Sequence, residues 1–356
     1  MRIGVNLGYW GRGVTGADQV ALGREADRLG YDSVWAAEAY GSDSPSVLAW
    51  IGALTERIGL GSAVMQIPGR TPAMTAMTAA TIDTLSGGRF RLGLGVSGPQ
   101  VSEGWHGVPF KSPLGRTREY VEIVRAALRR DTVSSAGPHY PLPLPGGPGK
   151  ALRLSARTVR PDIPVYLAAV GPKNVELTGE IADGWLAIFF SPDHAGDLLS
   201  TIERGRRAAL PDAGDVMGGF DVVATTPVVL VDDVEEAASH VRDYCALYIG
   251  GMGSREQNFY NQLACRMGFE RDAERIQDLY LAGRPREAAA AVPLEFIDET
   301  ALLGSPQRVA QRLRRYEDAG VTTLSIATGG GMTRDQALAT LGAVAQIADL
   351  RPTAAQ

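Results

Sequence analysis

The sequence predicts a (β/α)8 barrel of parallel strands. Short apolar runs of strand length alternate with helical patterns along the chain, which argues for a parallel sheet. The 356 residues hold eight such units, the number that closes a barrel. No break in composition marks a linker, so one domain over residues 1–356 is expected, with insertions at about 134–157 and 250–304. A doubly wound open sheet is the alternative arrangement.

Residues 3–7 form the first strand, and the exit loop 8–16 carries Tyr9, Trp10 and Arg12. A helix follows over 18–29, with Val20, Ala21, Leu22, Ala26 and Leu29 facing inward and Gly30 closing it. The second strand is 33–37, leaving through Glu38, Ala39 and Tyr40, and the next helix is 46–57. The third strand occupies 58–65 and stops at Gln66, Pro68 and Gly69. Met74, Met77, Thr81 and Leu85 recur at spacings of three and four, giving a helix over 71–85. The fourth strand is 90–95, opening into a Gly/Ser/Pro loop over 96–107. A long helix, 113–130, has Tyr120, Ile123, Val124, Ala127 and Leu128 on one face. Periodicity lapses in the Pro- and Gly-rich stretch 134–157, expected to cross the barrel mouth. Strands five to eight are placed at 164–169, 185–190, 220–231 and 322–327. Pro227 argues that the first half of the seventh is a separate extended piece. Helices at 172–182, 192–208, 232–248, 306–319 and 333–350 complete the pattern. The second insertion contains helical patterns over 259–281 and 286–292 and reads as a packing or dimer element.

Composition narrows the function. With 45% hydrophobic and 21% charged residues, the chain is an ordinary globular protein. A net charge of −5 and no long basic run argue against nucleic acid or an anionic membrane as partner. Cys245 and Cys265 form no CxxC pair, and His106, His139, His194 and His240 show no metal-ligand spacing, so no metal is expected. No signal-like segment and no membrane-length apolar run is present, so a cytoplasmic location is expected.

Two glycine-rich motifs are set aside. Residues 93–98 match G-x-G-x-x-G after a strand, but Pro99, Gly104, Gly107, Pro109 and Pro113 are expected to keep the chain irregular to about Pro113, without the helix a dinucleotide site needs. Residues 146–150 resemble a P-loop, but Leu144 replaces its first Gly and Ala151 its Ser/Thr. Better placed is the turn from Ala168 to Asn174, a strand end passing through Gly171 into a helix that starts with Pro172. Free backbone N–H groups there suit a phosphate. Glu38 ends the second strand, where a carboxylate faces a ligand or solvent. Trp10, Tyr40, Trp105 and Trp185 lie near strand ends and suit either a flat ring system or the core. No Ser/His/Asp set or carboxylate pair stands out, a pattern that suits chemistry carried by an organic cofactor.

The stretch TERIGLGSAVMQIPGRTPAMTAMTAATIDTLSGGRFRLGLGVSG resembles the hallmark region of the bacterial luciferase-like superfamily. With RIGVNLGYWG, WAAEAYGSD, SGPQVSEGWHG, AAVGPKN, ADGW and LYIGGMGSREQNFYNQLA, the chain is most similar to its coenzyme F420-dependent oxidoreductases, in particular the uncharacterised actinobacterial, mycobacterial-type members. The resemblance covers nearly the whole chain. It implies a barrel with insertions and a deazaflavin, F420, at the C-terminal mouth, with FMN as the alternative cofactor. It implies a non-prolyl cis peptide at Ala63-Val64, after Ser62, backing the ring. It implies ring and ribityl contacts from Val96, Ser97 and Gly98, and a phosphate cradle of Ala169, Val170 and Gly171 with Lys173 beside it. Lys150, Lys173 and Arg255 become candidates for the anionic cofactor tail.

Glu38 matches a family carboxylate near the ring. Ala39 stands where sugar-phosphate dehydrogenases and luciferases of the family carry His, and Pro99-Gln100 where the former carry Glu. Sugar-phosphate oxidation is therefore not expected. The proton-transfer candidates are Glu38, Tyr40, Glu103 and His106. The implied activity is hydride transfer between F420 and a small organic molecule, in the reducing direction, by a homodimer. A flavin-dependent monooxygenase and a non-catalytic cofactor-binding protein are the rival readings.

Overall fold

The structure is a computed structural model, and it describes residues 1–8, 10, 14–328 and 331–351. Tyr9 and Arg12 of the first exit loop lie outside the described residues.

Eight staves close a barrel. They are β1 (Arg2–Gly8), β2 (Ser33–Ala36), β3 (Gly59–Ser62) continued by β4 (Met65–Gln66), β5 (Phe90–Gly95), β6 (Val165–Ala168), β7 (Gly184–Ile188), β8 (Asp221–Val229) and β10 (Thr323–Thr328). The short β9 (Leu302–Leu303) pairs with the end of β8. Every pairing is parallel, and β8 with β10 closes the ring. The helices are α1 (Gly16–Leu29), α2 (Ser44–Ala53), α3 (Pro72–Leu85), α4 (Pro99–Gly104), α5 (Pro113–Leu128), α6 (Pro172–Ile181), α7 (Ala195–Ala209), α8 (Val234–Ala246), α9 (Phe259–Arg266), α10 (Glu270–Leu281), α11 (Pro285–Ala290), α12 (Leu294–Thr300), α13 (Pro306–Asp318) and α14 (Arg334–Ile347).

Alternation along the strands sorts two cores. Val34 and Ala36, Val165 and Leu167, Trp185 and Ala187, and Val222 and Ala224 face the helices. Between them Trp35, Tyr166, Leu186 and Val223 fill the lumen. Trp35 meets Tyr166 edge to face with ring centroids 5.2 Å apart. Gly61 lies opposite Trp35, where a Cβ would stand 2.1 Å from the indole, so no larger residue fits. Ala63, Val64 and Ala168, half-buried, close this lumen cluster on the mouth side.

Several expectations are corrected. The second helix ends at Ala53, not 57, because the Asp27 carboxylate accepts from the backbone N–H groups of Glu56, Arg57 and Ile58 and draws them out of the helix. The seventh strand is continuous through Pro227. On one flank β7 pairs only as far as Thr225, and β9 starts at Val228, so the proline falls in a gap where no neighbour asks for its N–H. A helix, α4, does begin directly after the G-x-G-x-x-G, with Gly98 as its N-cap and Pro99 in its first turn, but it lasts six residues. Residues 259–281 split into α9 and α10 at Gly268, whose φ of +91° ends α9.

The stretch 134–157 lies along α5 instead of spanning the mouth. Glu119 of that helix accepts from the N–H groups of His139 and Tyr140, and the Tyr140 ring packs on Tyr120. The helix α3 is as expected, but Met74 and Met77 are each 51% exposed and Leu85 is 74% exposed; Ala76, Ala79, Ala80 and Ile82 dock it.

Helices α6 and α7 touch backbone to backbone. A Cβ on Gly205 would lie 2.0 Å from the Glu176 carbonyl, and one on Gly179 would lie 2.2 Å from the Ile202 carbonyl. Gly205→Ala is expected to destabilise the protein by about 1–3 kcal/mol through overpacking. Gly196→Ala in α7, where a Cβ meets nothing within 4 Å, is the control and should be neutral or stabilising by up to about 1 kcal/mol. Thermal unfolding of both variants checks the contrast; equal midpoints would refute the close crossing.

Candidate active site at the barrel mouth

Glu38 leaves β2 almost fully buried, at 7% exposure. A buried carboxylate needs donors, and this one has four contacts. Oε1 accepts from Ser44 N–H at 3.2 Å and from Arg70 Nη2 at 2.8 Å. Oε2 accepts from Gln66 N–H at 3.0 Å and from Arg70 Nη1 at 2.9 Å. Arg70 also pairs with Asp43, the N-cap of α2. Burial works against the guanidinium charge, but the hydrogen bonds and charge of Glu38 outweigh it and raise the Arg70 pKa above its ordinary value. The fork therefore joins the exit of β2, the start of α2 and the turn after β4.

From this anchor a side-chain chain runs across the mouth. Gln66 donates from Nε2 to Ser97 Oγ at 2.9 Å, and its Oε1 meets His106 Nε2 at 2.9 Å. The His106 ring lies over the turn at Gly69, where a Cβ would stand 3.2 Å from Cε1. Glu38, Ser97 and His106 thus come together through Gln66. The other two proton-transfer candidates are not in this network among the described contacts. Glu103 accepts from Phe110 N–H at 2.8 Å and closes its own loop, and Tyr40 is exposed.

The peptide bond Ala63-Val64 is cis. Ser62, just before it, is fully buried, and its hydroxyl stitches β3 to β5 by donating to Gly93 O and accepting from Gly93 N–H. Ala63, Val64, Val96, Ser97 and Gly98 are all half-buried around the mouth. The backbone at Ala39 and Ser97 is left-handed, with φ of +89° and +60°, a conformation non-glycine residues adopt sparingly and often at functional sites. Trp10 is set by its indole N–H, which donates to buried Gln19 at 2.6 Å; Gln19 in turn donates to the carbonyls of Leu7 and Gly8. Trp10, Tyr40 and Trp105 are exposed, whereas Trp185 is a core residue whose indole donates to Ala169 O.

On the far side, Gly171 caps α6 without a side-chain hydrogen bond, and a Cβ there would meet nothing within 4 Å. Pro172 has no N–H, and the N–H groups of Asn174 and Val175 donate to Gly171 O, so the first-turn amide without a backbone partner among the described residues is that of Lys173, next to Ala169, Val170 and the exposed Lys173 side chain. Arg266 reaches in from α9 and donates to Val170 O at 3.0 Å. It has no carboxylate partner among the described residues, and burial lowers its pKa. The buried Oδ1 of Asn174 has no partner there either. Of the tail candidates, Arg255 is paired with Asp278, and Lys150 and Lys173 are exposed.

Sequence reasoning missed Arg70, Gln66 and Arg266. Gln66 had a signal, since a polar residue directly after a buried strand stands at the mouth. Removing Arg70 leaves a buried charge unpaired, so Arg70→Met is expected to cost about 3–5 kcal/mol. The double variant with Glu38→Gln should lose less than Arg70→Met alone. The order of thermal unfolding midpoints checks this, and a double variant less stable than the single one would refute the pairing.

Comparison with known proteins fits this geometry. The chain is 45% identical over 334 residues to the Mycobacterium tuberculosis protein named "Putative coenzyme F420-dependent oxidoreductase Rv3520c", covering 92% of this chain and 95% of that one. It is 27% identical to a 5,10-methylenetetrahydromethanopterin reductase of Archaeoglobus fulgidus, over 89% of this chain and 91% of the relative. The coenzyme F420-dependent tetrahydromethanopterin reductase of Methanopyrus kandleri shares the fold, with a TM-score of 0.81 at 24% identity over 98% of this chain and 99% of that one. An F420-dependent secondary alcohol dehydrogenase bound to an F420-acetone adduct does so with a TM-score of 0.73 at 17% identity, over 96% and 98%. The family model of the luciferase-like monooxygenases matches residues 2–323, nearly all of the barrel described above, and the chain belongs to that family.

Proposed function

We propose that the protein is an F420-dependent oxidoreductase that transfers hydride between the deazaflavin and a small organic substrate, working as an F420H2-dependent reductase. The observation that carries this reading is the open, uncapped start of α6 at Gly171, flanked by Lys173 and by the carboxylate-free guanidinium of Arg266. An anionic cofactor with a charged tail fits that surrounding. The 45% identity to a protein named for F420 supports the same choice. When bound, a deazaflavin supplies one carbon that gives or takes hydride and does not readily activate oxygen.

The chain's own residues bind and orient. Ala169, Val170, Gly171, Lys173 and Arg266 hold the phosphate end. Val96, Ser97 and Gly98 line the ring and ribityl portion, and Ser62, Ala63 and Val64 back the ring. Glu38 and Arg70 keep the mouth in register. FMN ends in a single phosphate and would use the same cradle without a tail site, so it is the control ligand.

The test is titration with F420 and FMN, then incubation with the reduced cofactors and a panel of carbonyl and unsaturated compounds. Gly171→Val should weaken F420 binding about tenfold or more with an unchanged unfolding midpoint, since the new side chain occupies the anion's space. Unchanged affinity would remove the cradle from this place, and tighter binding of FMN with oxygen uptake would favour a monooxygenase.

The same reading includes a homodimer. Trp50 and Leu54 at the end of α2, with Met74, Met77 and Leu85 of α3, make an exposed apolar face on two adjacent helices. The exposed positions of α2 and α3 carry no charge, and the single charged residue in either helix, Asp83, is buried. An apolar patch of this kind suits a self-complementary contact. Met77→Glu is expected to give monomers in sedimentation equilibrium; a wild-type monomer would sink the proposal. The cytoplasmic setting belongs to this reading too, supported by two unpaired cysteines, Cys245 and Cys265.

A further inference from the structure

The side-chain amide of Gln66 lies in hydrogen-bond contact with one ring nitrogen of His106, Nε2, at 2.9 Å. Gln66 is 6% exposed, and its side chain has two partners. Its Nε2 is spent on Ser97 Oγ, so the atom facing His106 Nε2 is the amide oxygen. An amide oxygen only accepts. The contact therefore requires a hydrogen on His106 Nε2, and a neutral ring then keeps its lone pair on Nδ1. No hydrogen-bond partner engages Nδ1 among the described residues.

The arrangement is held from behind at each joint. Gln66 cannot slide, because its backbone N–H is bound to Glu38 and its residue pairs with Gly95 of β5. The imidazole edge that holds Cε1 faces Gly69, where an added Cβ would stand 3.2 Å away. Ser97, the other partner, sits in the loop after β5 with a left-handed backbone.

We infer that Gln66 is a positioning residue that fixes the Nε2–H tautomer of His106 and makes Nδ1 the atom through which the site exchanges a proton with substrate. Its use in catalysis rests on the oxidoreductase reading above; the tautomer does not. In reduction of a C=O or C=N bond, the carbon gains the hydride supplied by the bound cofactor and the heteroatom gains a proton. That proton leaves Nδ1 of the imidazolium, and the ring returns to the neutral Nε2–H form. In the oxidising direction Nδ1 takes the hydroxyl or amine proton as hydride leaves the carbon, so charge and atoms balance both ways.

The experiment is nitrogen-15 NMR of the full chain at a pH where histidine is neutral. Only four histidines are present, and the His106→Gln spectrum assigns the signal. Wild type is expected to show His106 as Nε2–H, and Gln66→Leu to shift it toward Nδ1–H or a mixture. Gln66→Glu, whose carboxylate also accepts, should keep Nε2–H. Ser97→Ala frees the amide to turn and should weaken the preference, which keeps the test alive if Gln66→Leu does not fold. F420 titration of the same variants reads the binding proposal separately. With a turned-over substrate, Gln66→Leu should lower kcat on the order of ten- to a hundredfold, with KM nearly unchanged. An Nδ1–H tautomer in wild type, or a tautomer indifferent to Gln66, would overturn the inference.

Discussion

The mouth of this barrel depends on one buried ion pair. Glu38 and Arg70 meet in a two-pronged contact, and the carboxylate also receives the backbone N–H groups of Ser44 and Gln66. The carboxylate is withdrawn from water and the guanidinium largely so, so each needs the other as its partner. That condition fixes four pieces of chain at once: the end of β2, the start of α2, the last residue of the interrupted third stave and the turn into α3. The site's polar side chains hang from this point. Gln66 takes its position from it, and Ser97 and His106 take theirs from Gln66.

The fold was legible because its signals are local. Each stave lies in a short, mostly apolar run between helical patterns, and each run can be read without knowing its neighbours. Boundaries failed where a distant group intervened. Asp27 unwinds the end of α2 from 29 residues away in sequence. Pro227 sits inside β8 because a neighbouring strand happens to end there. The helix α3 shows how a right answer can rest on the wrong face. Its large apolar residues announce the period, yet Met74, Met77 and Leu85 face outward and the docking is made by three alanines and Ile82.

The site was partly legible for the same reason. Gly171 and the start of α6 form a local motif, and the cis bond at Ala63-Val64 followed from family resemblance, not from residue chemistry. Arg70 and Arg266 were invisible because their partners lie across the fold. Arg255 illustrates the converse: a free cation on paper, it is tied to Asp278. Glu38 read as a candidate acid or base because one sequence cannot show how many donors surround a carboxylate. In place, its oxygens are all engaged.

The crossing of α6 and α7 at Gly179 and Gly205 has a consequence for how an anion is received. Two helices in backbone contact cannot slide or tilt without a collision, so the start of α6, where the phosphate is proposed to bind, is preorganised and would lose little freedom on capture. Arg266 is different, because it arrives on α9 at the end of a long side chain. The proposed receptor would thus be divided into an immovable half made of backbone and an adjustable half made of one guanidinium. Selectivity for the phosphate would reside in the first, and tolerance of whatever extends beyond it in the second.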